Sequence, residues 1–345
     1  MENTHFFAGA NSAQGFCSHY RYLALDNFKR VYILKGGPGT GKSTIIKHLA
    51  SQINRHLEKY HCTADPDSLD GLFIPSLQIS ILDGTAPHTI DPRLPGAVQQ
   101  TVDLGSAWDY RALTASSQRI LELTDEISSL YELAYRWLAV GSGLKELIQL
   151  QERRQNAAAY AEECFAEIQG YIPDIAQGVT RKAFASGLTG KGTVSFVPAL
   201  SAKIKIGLLG NNRSFNSYIL NATAHWLQKR KTPAVYLYCG LQPEYLEHIY
   251  IPGEFALLSS HSPHSALALD MAFGQETPGN SDLEQQAAYF IDKAVSTIAA
   301  AAKLHADLEG FYTPHVNFAK VQKLRTGITD EIAELAKEAD NNYRP

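Results

Sequence analysis

The sequence predicts an α/β protein built from two tandem copies, each with a mainly parallel sheet and an α-helical appendage. Two observations support this prediction. An ordered set of residues recurs 177 positions further along the 345-residue chain. Within each copy, short apolar runs alternate with an amphipathic stretch before a long helical stretch closes the copy. Such alternation is typical of a parallel sheet covered by helices.

The repeat is clearest in a segment that begins with a cysteine. Prolines and aliphatic residues follow at identical spacing in both copies, as Cys62, Pro66, Leu69, Ile74 and Pro75 and then as Cys239, Pro243, Leu246, Ile251 and Pro252. With the same offset, Phe7 corresponds to Phe184, and Gly15 corresponds to Gly192. An ordered set of this kind indicates an internal duplication. We therefore predict one domain over residues 1–176 and a second over residues 177–345.

Each copy begins with an apolar run that leads through a loop into a helix. The first run is residues 31–34, and the helix after it carries apolar residues at i, i+4 spacing: Ile45, Leu49, Ile53 and Leu57. A single apolar stripe predicts an amphipathic helix. The second copy has its run at residues 204–209 and keeps Ile219 and Leu227 on the stripe. The helical appendages are predicted at about 107–170 and about 282–340, where apolar residues recur with helical spacing.

The loop after the first apolar run matches the pattern of a phosphate-binding loop, or P-loop. Its sequence is GGPGTGKS at residues 36–43, which fits GxxxxGK[S/T] between a strand and a helix. Glycines let the backbone curl tightly and approach phosphates without a Cβ in the way. The backbone N–H groups and the helix N-terminus then form a concave anion site. The predicted nucleotide-binding residues are Gly36, Gly37, Pro38, Gly39, Thr40, Gly41, Lys42, Ser43 and Thr44.

Three side chains are predicted to act on bound ATP and Mg²⁺. Lys42 places a positive charge at the β- and γ-phosphates and is a catalytic candidate, while the Ser43 hydroxyl is a Mg²⁺ ligand. Asp83 ends the strand-like run at residues 79–82 and is predicted to hold Mg²⁺ through water. We therefore predict two P-loop NTPase-like domains in tandem, with ATP and Mg²⁺ bound by the first.

Further polar residues follow the predicted strands of the first copy. Asp65 and Asp67 follow one strand, and Thr85 and His88 follow another. Ligands of parallel sheets bind at the carboxyl ends of the strands, so these side chains are expected near the phosphates. We predict Asp65 and Asp67 as additional catalytic residues. Residues of these types also cap loops, and the sequence leaves both interpretations open.

The second copy lacks the chemistry of the first loop. When Gly210 is aligned with Gly36, Phe215 and Asn216 take the positions of Gly41 and Lys42; in the segments that follow, Gln242 corresponds to Asp65 and Ser259 to Asp83. The charge of the lysine and the space beside the glycine are both lost. We predict that residues 177–345 form a pseudo-enzyme domain kept for structure, docking or regulation. Arg213 in this loop is a candidate to reach the γ-phosphate, and a solvated loop arginine is the simpler interpretation.

Four sequence segments of the first copy resemble those of a bacterial family of tandemly duplicated P-loop ATPase-like proteins, a family without an established cellular role. They lie at residues 5–11, 35–44, 62–71 and 81–88, and the resemblance extends over nearly the whole chain. In that family both halves can carry a P-loop, from which Asn216 departs here. The resemblance implies ATP binding and says nothing of a partner.

Three functions are compatible with this site. The first hypothesis is a Mg²⁺-dependent ATP hydrolase that acts as a nucleotide-controlled switch for an unidentified protein partner. The second is a P-loop kinase that phosphorylates a small-molecule acceptor, with arginines of the 107–170 segment closing over the phosphates. These arginines are Arg111, Arg119, Arg136, Arg153 and Arg154. The third hypothesis is an ATP-binding interaction module without catalysis.

Composition limits the other partners. The formal net charge is −4, so no overall basic field attracts nucleic acid or an anionic membrane. The hydrophobic fraction of 45% and charged fraction of 19% are those of a globular protein. The four cysteines are scattered, no run approaches the roughly 20 apolar residues of a membrane helix, and the first residues do not have the pattern of a signal peptide. We predict a cytoplasmic protein that binds neither nucleic acid nor membrane.

Overall fold

The computed structural model describes residues 2–151, 157–208, 213–259, 267–269 and 281–342. Gly210, the predicted counterpart of Gly36, lies outside these residues. No helix in the described part of the chain is both long and apolar enough to cross a membrane.

The prediction of an α/β chain is confirmed. The strands are β1 (Thr4–Phe7), β2 (Gly9–Ser12), β3 (Gly15–Ser18), β4 (Arg30–Lys35), β5 (Glu58–His61), β6 (Leu69–Ile74), β7 (Ile79–Asp83), β8 (Gln99–Asp103), β9 (Arg181–Phe184), β10 (Ser186–Thr189), β11 (Gly192–Ser195), β12 (Ala202–Leu208), β13 (Val235–Tyr238), β14 (Leu246–Ile251), β15 (Gly253–Ser259) and β16 (Leu267–Leu269). The α-helices are α1 (Lys42–Gln52), α2 (Tyr110–Ala115), α3 (Ser117–Gln151), α4 (Ala157–Gln169), α5 (Arg213–Arg230), α6 (Ser281–Tyr312) and α7 (Phe318–Asn342). Short 3₁₀ turns lie at Tyr20–Leu23, Gly105–Ala107, Val197–Ala199 and Thr313–His315.

The two copies repeat the same order of elements. In each, three short strands and a 3₁₀ turn precede a longer strand, a helix and four further strands. Five strands also pair in the same order, β8-β4-β7-β6-β5 in the first copy and β16-β12-β15-β14-β13 in the second. A shared order of sequence and pairing is what an internal duplication predicts.

The strand that leads into the P-loop lies between two parallel neighbours. β4 pairs parallel with β7 on one side and with β8 on the other. By contrast, β6 runs antiparallel to both β5 and β7. Only residues 75–78 join β6 to β7, and a connection this short requires an antiparallel pair. Consequently β4, β5 and β7 end at the same edge of the sheet, and β6 begins there.

The first helix is shorter than its apolar stripe predicted. α1 ends at Gln52, because Ile53 takes an extended backbone conformation with φ −90° and ψ 112°. Leu57 lies beyond the helix, where its carbonyl accepts a hydrogen bond from the Thr4 N–H at 2.9 Å. It is still buried in the same hydrophobic core as Ile45 and Leu49. The spacing therefore identified the buried side chains correctly and the end of the helix incorrectly.

The compact units differ from the predicted copies 1–176 and 177–345. One unit contains Ser18–Glu132 and the chain from Thr297 onward, and the other contains His5–Cys17 and Leu133–Ser296. In the first unit, α7 packs Val321, Ile328 and Ile332 into the core around α1, β4, β6 and β7.

In the second unit, α4 packs Ala161, Cys164 and Ile168 into the core around α5 and β12–β15. The last helix of each copy thus covers the sheet of the other copy. A cut between residues 176 and 177 would expose both cores.

Candidate functional site

The P-loop joins the end of β4 to the start of α1 and needs glycine at two positions. Gly39 has a φ of 68° and Gly41 a φ of 86°, both in the left-handed region. A side chain is strained in this conformation, whereas glycine adopts it freely. Gly41 is the residue before the first turn of α1, so the N–H groups of that turn face the interior of the loop.

Other elements hold the loop from outside. A Cβ at Gly36 would lie 2.8 Å from Thr40 Oγ1 and 3.0 Å from Leu104 Cβ, and one at Gly37 would lie 2.9 Å from Trp108 Cζ2. The Thr40 hydroxyl donates a hydrogen bond to the Gly37 carbonyl at 2.9 Å. The tight turn of the loop is therefore held by Thr40 from within and by Trp108 from outside.

Lys42 folds back over the loop. Its Nζ donates hydrogen bonds to the carbonyls of Gly36 at 2.7 Å and Gly37 at 2.9 Å. The same Nζ lies 3.6 Å from Asp83 Oδ2, and both side chains are largely buried. A positive charge is thereby held inside the loop, with its carboxylate partner beside it.

Asp83 reaches this position because it is the last residue of β7. In the parallel pair it lies opposite Leu34 at the end of β4. The Asp83 Oδ1 accepts a hydrogen bond from the Thr85 N–H at 2.8 Å, which fixes the carboxylate and leaves Oδ2 toward Lys42. The hydroxyl of Ser43, at the start of α1, accepts a hydrogen bond from the Leu69 N–H at 3.0 Å. Lys42, Ser43 and Asp83, as predicted from the sequence, lie at one edge of the sheet.

A second carboxylate, Asp70, lies in this cluster. Asp70 is the second residue of β6, a strand whose six residues are all buried. Its Oδ2 accepts a hydrogen bond from the Tyr20 hydroxyl at 2.8 Å and lies 3.7 Å from His88 Nε2. The ring of His88 stacks on Tyr20 with centroids 4.4 Å apart, and its Nδ1 lies 3.2 Å from the carbonyl oxygen of Asp83. Ligand atoms of Asp70, Asp83 and His88 all lie within 4.8 Å of one another.

Burial dominates the electrostatics of this cluster. It raises the pKa of Asp70, and the nearby charge of Asp83 raises it further while His88 opposes the shift. Burial likewise raises the pKa of the Tyr20 hydroxyl, with the Asp70 carboxylate as the next cause. The pKa of the Cys62 thiol is raised for the same two reasons. Asp70 is therefore a carboxyl group that is costly to ionise and is surrounded by donors.

Asp65 and Asp67 were predicted as catalytic residues, and the structure gives Asp65 a local role. Its carboxylate accepts hydrogen bonds from the Asp67 N–H at 3.3 Å and the Ser68 hydroxyl at 2.8 Å. Both bonds lie within the turn between β5 and β6, and Asp67 is exposed. Of the residues expected near the phosphates, His88 and Thr85 contact Asp83 directly. Asp70 was not predicted, although a lone acid within the apolar run LDGLFI is the signal that marks it.

The oxygen donors at the end of β7 and the start of α1 suit a hard divalent cation. Mg²⁺ prefers carboxylate, hydroxyl and water oxygens, and Ser43 Oγ and Asp83 Oδ2 are such donors. Lys42 faces the same space and carries the charge that a phosphate requires. The residues present therefore fit the predicted ATP–Mg²⁺ ligand.

The second copy has a different structure at the corresponding place. α5 begins at Arg213, so helix occupies positions that correspond to loop residues 39–41 of the first copy. Phe215 is buried in the core of its unit. Asn216 donates a hydrogen bond to Ser259 at 3.1 Å, and this neutral pair replaces Lys42 and Asp83.

The predicted reach of Arg213 to a γ-phosphate finds no support in its contacts. Its guanidinium bonds to Gln242 and stacks over the ring of Tyr245 at 4.0 Å. Both partners belong to the same unit as Arg213.

Comparisons of the chain with models of protein families, with functionally characterised proteins and with solved structures find no match. The resemblance to duplicated P-loop ATPase-like proteins therefore remains a prediction from the sequence segments.

Asp70→Asn is expected to stabilise the fold increasingly as the pH rises. The raised pKa of Asp70 means that the wild-type chain loses stability as the pH rises through the folded-state value, whereas the two proteins should match near the unfolded value of 3.8. Urea unfolding between about pH 4 and pH 8 measures the difference. Asp67→Asn, at an exposed position of the turn before β6, serves as the control for the substitution itself. A gain for Asp70→Asn that shrinks toward high pH would contradict the assignment.

Proposed function

We propose that this chain binds ATP and Mg²⁺ at residues 36–44 and hydrolyses ATP, so that the nucleotide state controls its contacts with a partner. The observation that carries the proposal is the 3.6 Å approach of Lys42 Nζ to Asp83 Oδ2 at the carboxyl ends of two parallel strands. P-loop proteins place a phosphate-binding lysine and a metal-binding carboxylate in this relation.

Phosphate binding follows from groups that are already in place. The left-handed Gly39 and Gly41 turn backbone N–H groups into the loop, and the N-terminus of α1 adds its partial positive charge. Lys42 now bonds to two loop carbonyls at 2.7 and 2.9 Å. On nucleotide binding we expect its ammonium to exchange one of these bonds for a phosphate oxygen.

Metal binding would use Ser43 directly and Asp83 through water. When bound, Mg²⁺ neutralises charge on the β- and γ-phosphates. The residues of this chain then have separate tasks. Lys42 orients the terminal phosphate, Ser43 and Asp83 hold the metal, and Thr85 keeps the Asp83 carboxylate in place.

The proposed catalytic base must come from another strand than β7. The residue after Asp83 is Gly84, and a Cβ there would overlap Ile33 Cγ2, so no acidic side chain fits this position. Asp70 and His88 border Asp83 from β6 and from the loop after β7. They are the groups we assign to orient or deprotonate a water, ahead of Asp65, whose carboxylate holds its own turn.

A switch requires that the loop contacts a structure that can respond, and α6 supplies one. A Cβ at Gly39 would lie 2.6 Å from Thr313 Oγ1 and 3.2 Å from the carbonyl oxygen of Glu309. Tyr312, the last residue of α6, packs on Trp108 with ring centroids 5.7 Å apart. A change in the conformation of the loop on phosphate binding would therefore alter the contacts at the C-terminal end of α6, a helix of 32 residues.

The two alternatives differ from this proposal in the fate of the γ-phosphate. A kinase would need arginines over the phosphates. Of the five candidates, Arg119 pairs with the neighbouring Glu122 at 3.1 Å on an exposed face, and Arg153 and Arg154 lie outside the described residues. Phosphate release without an acceptor supports hydrolysis, and ADP formation that depends on an acceptor supports a kinase. ATP binding with neither reaction leaves a binding module.

Lys42→Ala and Ser43→Ala are each expected to weaken ATP–Mg²⁺ binding by about tenfold or more, because a charge-assisted phosphate contact is worth about 1.5–3 kcal/mol. Titration calorimetry measures the affinity, and circular dichroism checks the fold. Lys47→Ala, at an exposed position of the same helix, is the matched control and should bind as the wild type does. Unchanged affinity in both loop variants would remove the site from residues 36–44.

Asp83→Asn is expected to impair binding and turnover with Mg²⁺ more than ATP binding in EDTA. The carboxylate acts through the metal, so its effect should disappear when the metal is removed. Binding and phosphate release are measured with and without Mg²⁺. An equal loss of ATP affinity in EDTA would make Asp83 a partner of Lys42 only and would place the metal elsewhere.

A further inference from the structure

One face of α3 is apolar and exposed over its second half. Nine residues between positions 132 and 150 lie on this face of α3, and all nine are exposed: 132, 133, 136, 139, 140, 143, 146, 147 and 150. Six of them are apolar: Leu133, Ala139, Val140, Gly143, Leu147 and Leu150. The four large side chains are 43%, 43%, 49% and 56% exposed. An exposed apolar surface of this continuity marks an interaction site.

The opposite face of the same segment is occupied. Ala134 and Leu138 are fully buried. A Cβ at Gly141 would lie 3.0 Å from Ile291 Cγ1 of α6. The helix therefore uses its inner face for its own unit, and the apolar stripe is left on the outside.

The spacing of the stripe specifies a helical partner. Leu133, Val140 and Leu147 recur every seven residues, and residues 136, 143 and 150 form the second set of a heptad repeat. A seven-residue repeat keeps one seam facing another helix. The stripe spans 18 residues, which corresponds to about 27 Å of helix.

The stripe is also symmetric about a point between Gly141 and Ser142. Turning a second copy of α3 end over end about this point places Leu133 against Leu150 and Val140 against Gly143 of the other copy. Gly143 has open space above it, since an added Cβ would meet nothing within 4 Å. The small residue on one copy thus leaves room for the valine on the other.

We propose that this chain forms a homodimer through the outer face of α3, residues 132–150, with the two helices antiparallel. The interface is isologous, because the same stripe serves both copies and one two-fold axis passes beside residues 141 and 142. This surface lies apart from the proposed ATP site in sequence and does not depend on it.

Charge complementarity favours a second copy as the occupant. In the antiparallel arrangement, Arg136 of one copy falls opposite Leu147 of the other and next to Glu146, and the two-fold axis forms this arrangement twice. The Glu146 carboxylate is already positioned by a hydrogen bond from Gln242 Nε2 at 3.1 Å. A parallel, in-register pairing of two copies would instead bring Arg136 against Arg136, and like charges disfavour that contact.

Val140→Glu tests the surface. Light scattering coupled to size exclusion on the full chain should give a dimer mass for the wild type and a monomer mass for the variant at about 10 μM, a concentration at which an interface of micromolar affinity is mostly formed. Leu121→Glu is the control, because Leu121 is exposed on the same helix but off the stripe. It should remain a dimer. A monomeric wild type, or a dimer that persists in Val140→Glu, overturns the proposal.

A charge exchange tests the antiparallel register. Arg136→Glu alone and Glu146→Arg alone should each weaken the dimer, since each places like charges side by side. The double variant restores opposite charges and should regain the dimer. Thermal unfolding of all three variants checks that each chain folds. A double variant that dissociates further than either single variant would overturn the antiparallel pairing.

Discussion

The pairing of Lys42 with Asp83 is the interaction on which the proposed site depends. It exists because β4 and β7 are parallel neighbours that end at the same edge, with Leu34 opposite Asp83. The loop glycines, the start of α1 and the hydrogen bond from Thr85 then place the two charges 3.6 Å apart. A largely buried ion pair is costly unless both charges are well partnered. In the proposed complex, the phosphate would partner the charge of Lys42 and the metal would partner the charge of Asp83, which gives this ion pair a physical reason.

The second copy shows what lies at the corresponding place without this ion pair. Asn216 and Ser259 keep a hydrogen bond of 3.1 Å at the same place, without charge. Helix α5 extends backward over the loop, and Phe215 adds to the hydrophobic core. The sheet nevertheless keeps the strand order of the first copy. The scaffold thus follows from the apolar pattern, whereas the proposed phosphate site depends on a few polar residues and glycines at its edge.

The motif was sufficient to predict the loop and the Asp83 strand end, because a P-loop has a fixed spacing and a fixed structural context. Asp70 was harder, since a single acid in an apolar strand has no motif and gains its meaning only when β6 runs antiparallel beside β7. The position of α7 was beyond the sequence for another reason. An amphipathic stripe such as Val321, Ile328 and Ile332 shows which face is buried, but it does not identify the sheet that covers it.

The most direct test of the account is the number of ATP molecules that one full-length chain binds. Titration calorimetry with ATP and Mg²⁺ should give one per chain. The affinity should fall by about tenfold or more in Lys42→Ala, and the number should stay at one in Asn216→Lys, because Phe215 and helix α5 still occupy positions of the second loop. Two ATP per chain, or one bound with unchanged affinity in Lys42→Ala, would contradict the assignment of the site to the first copy.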